Sequence, residues 1–121
     1  MSGFSPEVRA YLLARANGRC EADSPECLGG ADNCHHRTPR GMGGTKREWV
    51  NRASNGLVLC GSGTTGCHGY FESHRDLAVE RGIILPSGSW PWQTPVRLRG
   101  EWRLLDDHGG YVLITMPGGL R

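Results

Sequence analysis

The chain of 121 residues predicts a single small α+β domain, residues 1–121, and three observations support this class. Helical and strand-like patterns alternate along the chain, with no internal repeat and no sign of a second domain. Only 37% of the residues are hydrophobic, while 19 glycines and 7 prolines indicate that irregular loops take a large share. Five cysteines in so short a chain indicate that disulfides or a bound metal stabilise the fold.

The N-terminal region, residues 1–18, predicts a helix. Ser5 suits the N-cap, Pro6 suits the first helical position, and Gly18 suits the residue that ends the helix. An apolar stripe at helical spacing within this segment predicts that the helix packs on a core.

Residues 19–82 contain the segments that predict the centre of the domain. Two short apolar segments, ADNCHHR and NGLVLC, predict strands, and the polar stretch between them predicts a long loop. The segment CHGYFESHRDLAVERG predicts a second helix that ends at Gly82. In the C-terminal extension, residues 83–121, two alternating segments around DDHGG predict a β-hairpin.

Two matched cysteine pairs flank glycine-containing loops. They are Cys20 with Cys27 and Cys60 with Cys67. Four thiolates complete a tetrahedral Zn²⁺ site, so this donor set predicts a structural zinc with no open coordination position. Buried free cysteines are the alternative interpretation. Cys34, inside the first predicted strand, is expected to be a small buried apolar residue.

The N-terminus has no apolar stretch of signal-peptide length, and no later segment is apolar enough to span a membrane. We therefore expect an intracellular protein with reduced thiols, which favours a metal over disulfides.

Charge is unevenly distributed along the chain. Between residues 35 and 75, six basic side chains are opposed only by Glu48 and Glu72, whereas the rest of the chain is net acidic. This local excess suits an anionic polymer, with an ordinary solvated surface as the alternative.

The paired histidines His35 and His36 lie in the first predicted strand, where neighbouring side chains point to opposite faces. His68 follows Cys67 directly, so a shared zinc would bring it close to this strand. One imidazole of the pair could then share a second metal with His68, while the other remains able to take a proton. Glu72, four residues after His68, lies on the same helical face.

Two further histidines carry weaker signals. His74 is rotated by roughly 120° from His68 on a continuous helix, so it is expected to contact phosphate or to lie at the surface. His108 lies in the predicted hairpin turn and is expected to be exposed.

The order His35-His36, then Asn55 ahead of GLVLC, then His68 after Cys67, resembles the HNH endonucleases of the ββα-metal superfamily. The segments GRCE, HHRTPRGMGG and NGLVLCGSGTTGCHGYFESHR look like the small HNH proteins of actinobacterial phages. The similarity runs from about residue 18 to residue 75. It implies a ββα-metal, treble-clef-like core over residues 19–82 and DNA cleavage with little sequence specificity. It also implies the host cytoplasm as the location and phage packaging proteins, terminase or portal, as partners.

Carried over residue by residue, the resemblance implies that His36 is the general base and that His35 and His68 bind the catalytic metal. It implies that Asn55 either binds this metal or braces the loop that orients the base. Many family members have aspartate at the position of His35, and here GSGTTG enlarges the loop between Cys60 and Cys67.

The chemistry of phosphodiester hydrolysis suits these residue types. A neutral imidazole can accept a proton from water near pH 7. Guanidinium and ammonium groups hold flanking DNA phosphates without reading sequence. The residues expected to do so are Arg37, Arg40, Lys46 and Arg47.

Two imidazoles and an amide offer the metal no carboxylate. We therefore expect Mn²⁺, Ni²⁺ or Co²⁺ to support cleavage better than Mg²⁺.

Two other functions fit parts of the sequence. A zinc-stapled, non-catalytic DNA-binding module would explain the cysteines and the charge, but not the three histidines. The second such function is that of an interaction protein, which would use the segment SWPW and the hairpin as a contact surface.

Overall fold

The structure is a computed structural model that describes residues 3–39 and 48–115. Helix α1, Pro6–Ala16, begins as predicted: the Ser5 hydroxyl accepts a hydrogen bond from the backbone N–H of Val8. Its C-cap is Asn17 in the left-handed region, followed by Gly18 with φ +79°. The predicted N-terminal helix is confirmed.

Strands β1, Asn33–His36, and β2, Gly56–Leu59, form an antiparallel pair. His35 lies opposite Leu57, and His36 lies opposite Gly56. Because opposite residues of an antiparallel pair share a face, the two histidines project to different sides of the ribbon. Two short 3-10 helices, Glu48–Asn51 and Ala53–Asn55, lead into β2.

All four residues of β2 are buried, because the strand is covered on both faces. On one face Val58 packs with Phe4, Leu12 and Ala53 beneath α1. On the other face lies the larger core, where Leu57 and Leu59 pack with apolar side chains of the following helices and the C-terminal sheet. The strand that pairs with the histidine-bearing β1 is therefore packed between two apolar layers.

The predicted second helix is interrupted. Helix α2 spans Gly66–Ser73 and helix α3 spans Arg75–Glu80, with non-helical backbone at His74 (φ −125°, ψ 60°). The carbonyl of Tyr70 accepts hydrogen bonds from the side chains of Ser73 (3.1 Å) and His74 (2.8 Å). Side-chain partners compete in this way with the next turn of backbone amides, which accounts for the break. The prediction of one continuous helix is wrong at this point.

The C-terminal extension forms three strands instead of the predicted two. They are β3 Val96–Leu98, β4 Glu101–Leu105 and β5 Tyr111–Leu113, in the order β3-β4-β5 with antiparallel pairing. The extra turn is made by Arg99 (φ 51°) and Gly100 (φ 83°), the positive pair that a two-residue hairpin turn of type I′ requires. The predicted DDHGG turn joins β4 to β5. A short 3-10 helix, Pro91–Gln93, precedes this sheet.

The described residues thus contain three α-helices and two antiparallel sheets, which confirms the α+β class.

A buried ion pair connects α1 to the β1–β2 ribbon. The Arg15 guanidinium lies 2.7 Å from a Glu21 carboxylate oxygen and donates to the backbone carbonyl of Gly56. The other Glu21 oxygen accepts from the backbone N–H of Val58, at 2.9 Å.

Candidate metal centres and histidine cleft

The two predicted cysteine pairs come together at one end of the ribbon. Each of Cys20, Cys27, Cys60 and Cys67 offers a sulfur, and these sulfurs lie within 4.8 Å of one another. Three of the four residues are buried. Four cysteine sulfurs in one cluster are placed to bind a metal ion. Cys34 lies outside this cluster and packs against the apolar cluster beneath α1, as expected of an apolar residue, but it is only partly buried.

Backbone amides around the cysteine cluster stabilise thiolates. The N–H groups of Leu28 and Cys67 lie 3.1 and 3.2 Å from the Cys60 sulfur, and the N–H of Cys60 lies 3.3 Å from the Cys20 sulfur. Burial alone would raise the pKa of Cys60, but the amides of Cys67, Leu28 and Gly29 bring it down to about 7. Burial raises the pKa of Cys20, and a bound cation would reverse that effect. The donor set therefore suits a metal that accepts thiolates.

A second cluster is formed by His35, His68 and Glu72. Each offers one ligand atom, and these atoms lie within 4.8 Å of one another. Metal–ligand bonds to nitrogen and oxygen are about 2.0–2.2 Å long, so only a small approach would bring all three to one ion. Glu72 thus adds a carboxylate to a ligand set that the sequence had predicted without one. The expected ligand set of two imidazoles and an amide stays a prediction, to which the geometry adds Glu72 as a further candidate.

A hydrogen bond fixes the orientation of one of the two imidazoles in this cluster, that of His35. His35 Nε2 lies 3.2 Å from the carbonyl oxygen of Ile83, which can only accept, so the lone pair of the neutral ring is on Nδ1. Burial lowers the pKa of His35 to about 4, so the ring is neutral at pH 7 and able to bind a metal. His68 Nδ1 is buried without a hydrogen-bond partner among the described residues. His68 Nε2 lies 4.0 Å from a Glu72 oxygen.

His36 lies on the opposite face of β1 and is not part of this cluster. Its ring stacks on Phe4 with a centroid distance of 4.0 Å, and Nε2 lies 2.7 Å from Oδ1 of Asn51. Because an amide oxygen accepts, Nε2 carries the proton and Nδ1 holds the lone pair. Gly56, opposite His36, leaves the space that Phe4 needs: a Cβ there would approach Leu12 to 2.7 Å and Phe4 to 3.0 Å.

Asn55 is fully buried and braces the chain around His36. Its Oδ1 accepts from the backbone N–H of Thr38 at 2.9 Å, and its Nδ2 donates to the carbonyl of Val50 at 2.8 Å. These contacts connect the segment after His36 to the turn that carries Asn51. Both ends of this buried amide are engaged in backbone hydrogen bonds, which favours the bracing role among the two that the resemblance allowed. Its role as a metal ligand stays a prediction.

Arg37 is the clearest departure from the predicted site. Its side chain is fully buried, and the guanidinium donates to four backbone carbonyls, those of Ser54, Gly82, Pro91 and Thr94. Burial lowers its pKa to about 9, which leaves it protonated at pH 7. Arg37 therefore holds segments of the fold together and has no exposed surface to offer to a phosphate. The other predicted phosphate contacts, Arg40, Lys46 and Arg47, lie outside the described residues.

Residues from both faces of β1 line one opening of about 320 Å³, which we name the histidine cleft. The polar and charged side chains that line it include His35, His36, His68, Glu72 and Arg75. Arg75 is half-exposed and lies 3.0 Å from a Glu72 oxygen. The cleft therefore brings the candidate base, the candidate metal cluster and one exposed cation to a common space.

The two remaining histidines lie where they were expected. His74 is exposed and stacks on Tyr70 at a centroid distance of 4.0 Å, outside the metal cluster. His108 is exposed in the β4–β5 turn. Asn51 was missed, because one asparagine in a polar loop carries no local signal. Glu72 was placed on the helical face of His68 from its spacing in the sequence, but it was not counted as a ligand.

Comparison with family models, with curated proteins and with solved structures gave no match to this chain. Within the described residues, no helix is both long and apolar enough to cross a bilayer.

Proposed function

We propose that this protein is a metal-dependent endonuclease that hydrolyses DNA phosphodiester bonds with little sequence specificity. One observation carries the proposal: the histidine cleft combines a hydrogen-bonded imidazole that is not in a metal cluster, His36, with a cluster of metal-ligand side chains, His35, His68 and Glu72. The ββα-metal interpretation of the ribbon and α2, and the link to phage packaging, rest on the resemblance in sequence.

In this proposal, His36 accepts the proton of the attacking water at Nδ1. Asn51 holds the ring in position and fixes the tautomer by accepting from Nε2. A neutral imidazole placed in this way contributes typically about 10²–10⁴-fold to the rate. Arg75, at the edge of the cleft, supplies positive charge beside the scissile phosphate.

The residues His35, His68 and Glu72 would hold the divalent ion. When bound, such an ion offsets the negative charge on the phosphate and on the leaving oxygen. The hydrogen bond to the Ile83 carbonyl holds the His35 ring in position, in the way that outer hydrogen bonds commonly orient metal-binding imidazoles. The four-cysteine cluster would hold a structural Zn²⁺, because four protein sulfurs complete a tetrahedral site.

The test is incubation of supercoiled plasmid with the protein and Mn²⁺, Mg²⁺ or Ni²⁺. The wild type should relax or cut the plasmid, and His36→Ala should not, although it still shifts DNA in a gel. His108→Ala is the matched control, because it removes an exposed imidazole from a distant turn and should cut like the wild type. A wild type that shifts DNA but never cuts it would establish the non-catalytic binding module instead.

A further inference from the structure

A second cleft, of about 280 Å³, opens between the end of α1, the first cysteine loop and the C-terminal sheet. We name it the arginine cleft. Its charged lining residues are Arg15, Arg19, Glu21, Arg99 and Arg103. Nothing in the proposed mechanism uses this cleft.

The positive charge of the arginine cleft is only partly compensated. Glu21 is the acidic residue of the lining, and both of its oxygens are bonded to the buried guanidinium of Arg15. The remaining cations come from three different elements, namely Arg19 after α1, Arg99 in the β3–β4 turn and Arg103 in β4. Arg103 is itself paired with Glu101 at 3.0 Å, so the local excess of positive charge, which attracts anions, comes from Arg19 and Arg99.

Arg103 is the most informative of these residues. It lies on the inner face of the sheet, in register with the buried Val96, and its side chain is only 16% exposed. The guanidinium stacks over Tyr111 at 4.3 Å, and its Nε is buried with no hydrogen-bond partner among the described residues. Its carboxylate partner, Glu101, lies 3.0 Å away and is half-exposed. The guanidinium lines the cleft, and its Nη2 donates to this half-exposed carboxylate. An oxyanion bound in the cleft would compete with Glu101 for these Nη donors.

Arg99 adds a second argument. It occupies the first position of the tight turn with φ 51°, a conformation that favours asparagine or glycine over arginine. Its Nε donates to the carbonyl of Cys20 at 3.0 Å, which fixes the guanidinium at the cleft. That bond uses one of the five N–H donors of the guanidinium. The planar guanidinium matches the oxygens of a phosphate group in geometry.

We propose that the arginine cleft binds a phosphate group of a DNA backbone, as a contact separate from the one in the histidine cleft. The identity of the ligand rests on the proposed nuclease function, whereas the affinity for phosphate rests on the arginines alone. Such a contact would position the duplex without reading its sequence.

The experiment measures binding of a 20-base-pair duplex over a range of salt concentrations, with the full chain carrying His36→Ala so that cleavage does not interfere. Adding Arg103→Ala should reduce the slope of log affinity against log salt by about one, and lower the affinity about tenfold at 0.1 M salt. Arg19→Ala, which removes an exposed side chain and so leaves the packing intact, should act in the same direction. Arg9→Ala, an exposed arginine on α1 outside the cleft, is the control for net charge and should change the slope less.

Two further measurements separate this proposal from the nuclease. Hydrolysis of bis(p-nitrophenyl) phosphate, which is too small to span both clefts, should be unchanged by Arg19→Ala in the otherwise wild-type protein. If the protein binds no DNA, calorimetric titration with inorganic phosphate tests the phosphate site directly. A heat of binding that is present in the wild type and absent in Arg103→Ala supports the site. Unchanged slopes in folded Arg19→Ala and Arg103→Ala proteins, or the absence of both DNA and phosphate binding, would overturn the proposal.

Discussion

At the scale of single residues, the adjacent histidines illustrate how alternation along a strand separates two tasks. His35 faces His68 with a centroid distance of 5.5 Å, and His36 stacks on Phe4 across the ribbon. Neighbouring side chains on a strand point to opposite faces, so two imidazoles in sequence acquire different partners. Proton acceptance and metal binding can then be tested by separate substitutions.

The contact between His36 and Asn51 predicts a graded effect on cleavage. Asn51→Leu removes the acceptor for Nε2–H, so the rate should fall well below wild type while remaining above that of His36→Ala. Asn51→Asp keeps an acceptor in place and should restore much of the activity. The measurement is the initial rate of plasmid relaxation as a function of pH. Equal rates for wild type and Asn51→Leu at every pH would remove Asn51 from the positioning of the base.

The presence of Glu72 revises the expected metal preference. A carboxylate oxygen favours Mg²⁺ and Mn²⁺, whereas two imidazoles favour Ni²⁺ and Co²⁺, so Mn²⁺ should support cleavage best. Glu72→Gln removes the negative charge and should reduce activity with both metals. The factor of reduction with Mg²⁺ should be at least about ten times the factor with Ni²⁺. Metal titrations on supercoiled plasmid provide the measurement. Glu80→Gln, an exposed glutamate on α3, is the matched control and should leave the order unchanged.

At the scale of elements, the cysteine cluster links the first loop to the start of α2. Cys20 and Cys27 lie in the loop after α1, while Cys60 and Cys67 enclose the turn between β2 and α2. Gly69 allows this turn to pack closely on α2, since a Cβ there would come within 2.4 Å of the Thr64 backbone. His68 therefore owes its position beside β1 to the fold of the cysteine loops.

We predict that a metal in this cluster supplies much of the folding free energy, as it does in small zinc-stapled domains. Purified protein should contain close to one tightly held zinc, and Cys20→Ser should unfold it. Cys34→Ser, which changes a cysteine outside the cluster, should keep both the zinc and the fold. Elemental analysis and circular dichroism measure the two properties. A folded, stable protein without zinc, or a Cys34→Ser variant as damaged as Cys20→Ser, would refute the assignment.

At the scale of the whole molecule, Arg37 joins parts of the chain that are distant in sequence. Its guanidinium binds carbonyls from the turn before β2, from the end of α3 and from the segment that leads into the C-terminal sheet. A buried guanidinium is tolerated because several backbone oxygens replace the water it loses. The C-terminal extension is thereby attached to the ribbon that carries the histidines.

Arg37→Met should lower the free energy of unfolding by about 3–5 kcal/mol, because four carbonyl oxygens lose a charged donor. Chemical denaturation measures the loss. Arg9→Met, at an exposed position of α1, should change stability by no more than about 0.5 kcal/mol. A stable Arg37→Met protein with reduced DNA affinity would instead indicate that this arginine contacts phosphate after all.

Local signals in the sequence determined the features whose cause is local. The cap at Ser5 sets the start of α1, the matched spacing of Cys20, Cys27, Cys60 and Cys67 predicts one cluster, and strand alternation separates His35 from His36. The cap and the alternation follow from backbone geometry within a few residues, and the cluster follows from the ligand chemistry of two locally matched cysteine pairs. The α+β class and the proximity of one imidazole of the pair to His68 are therefore predictable from the amino-acid sequence alone, whereas the choice of His35 followed from the resemblance.

Tertiary structure alone decided the remaining features, because they depend on groups far apart in the chain. Arg37 resembles a surface cation in the sequence, and only the assembled carbonyls of Ser54, Gly82, Pro91 and Thr94 make its burial favourable. The same holds for Asn51, which meets His36 across 15 positions of the chain. The arginine cleft likewise exists only where α1 meets the C-terminal sheet. Partners brought together by folding, and not residue type, determine what these side chains do.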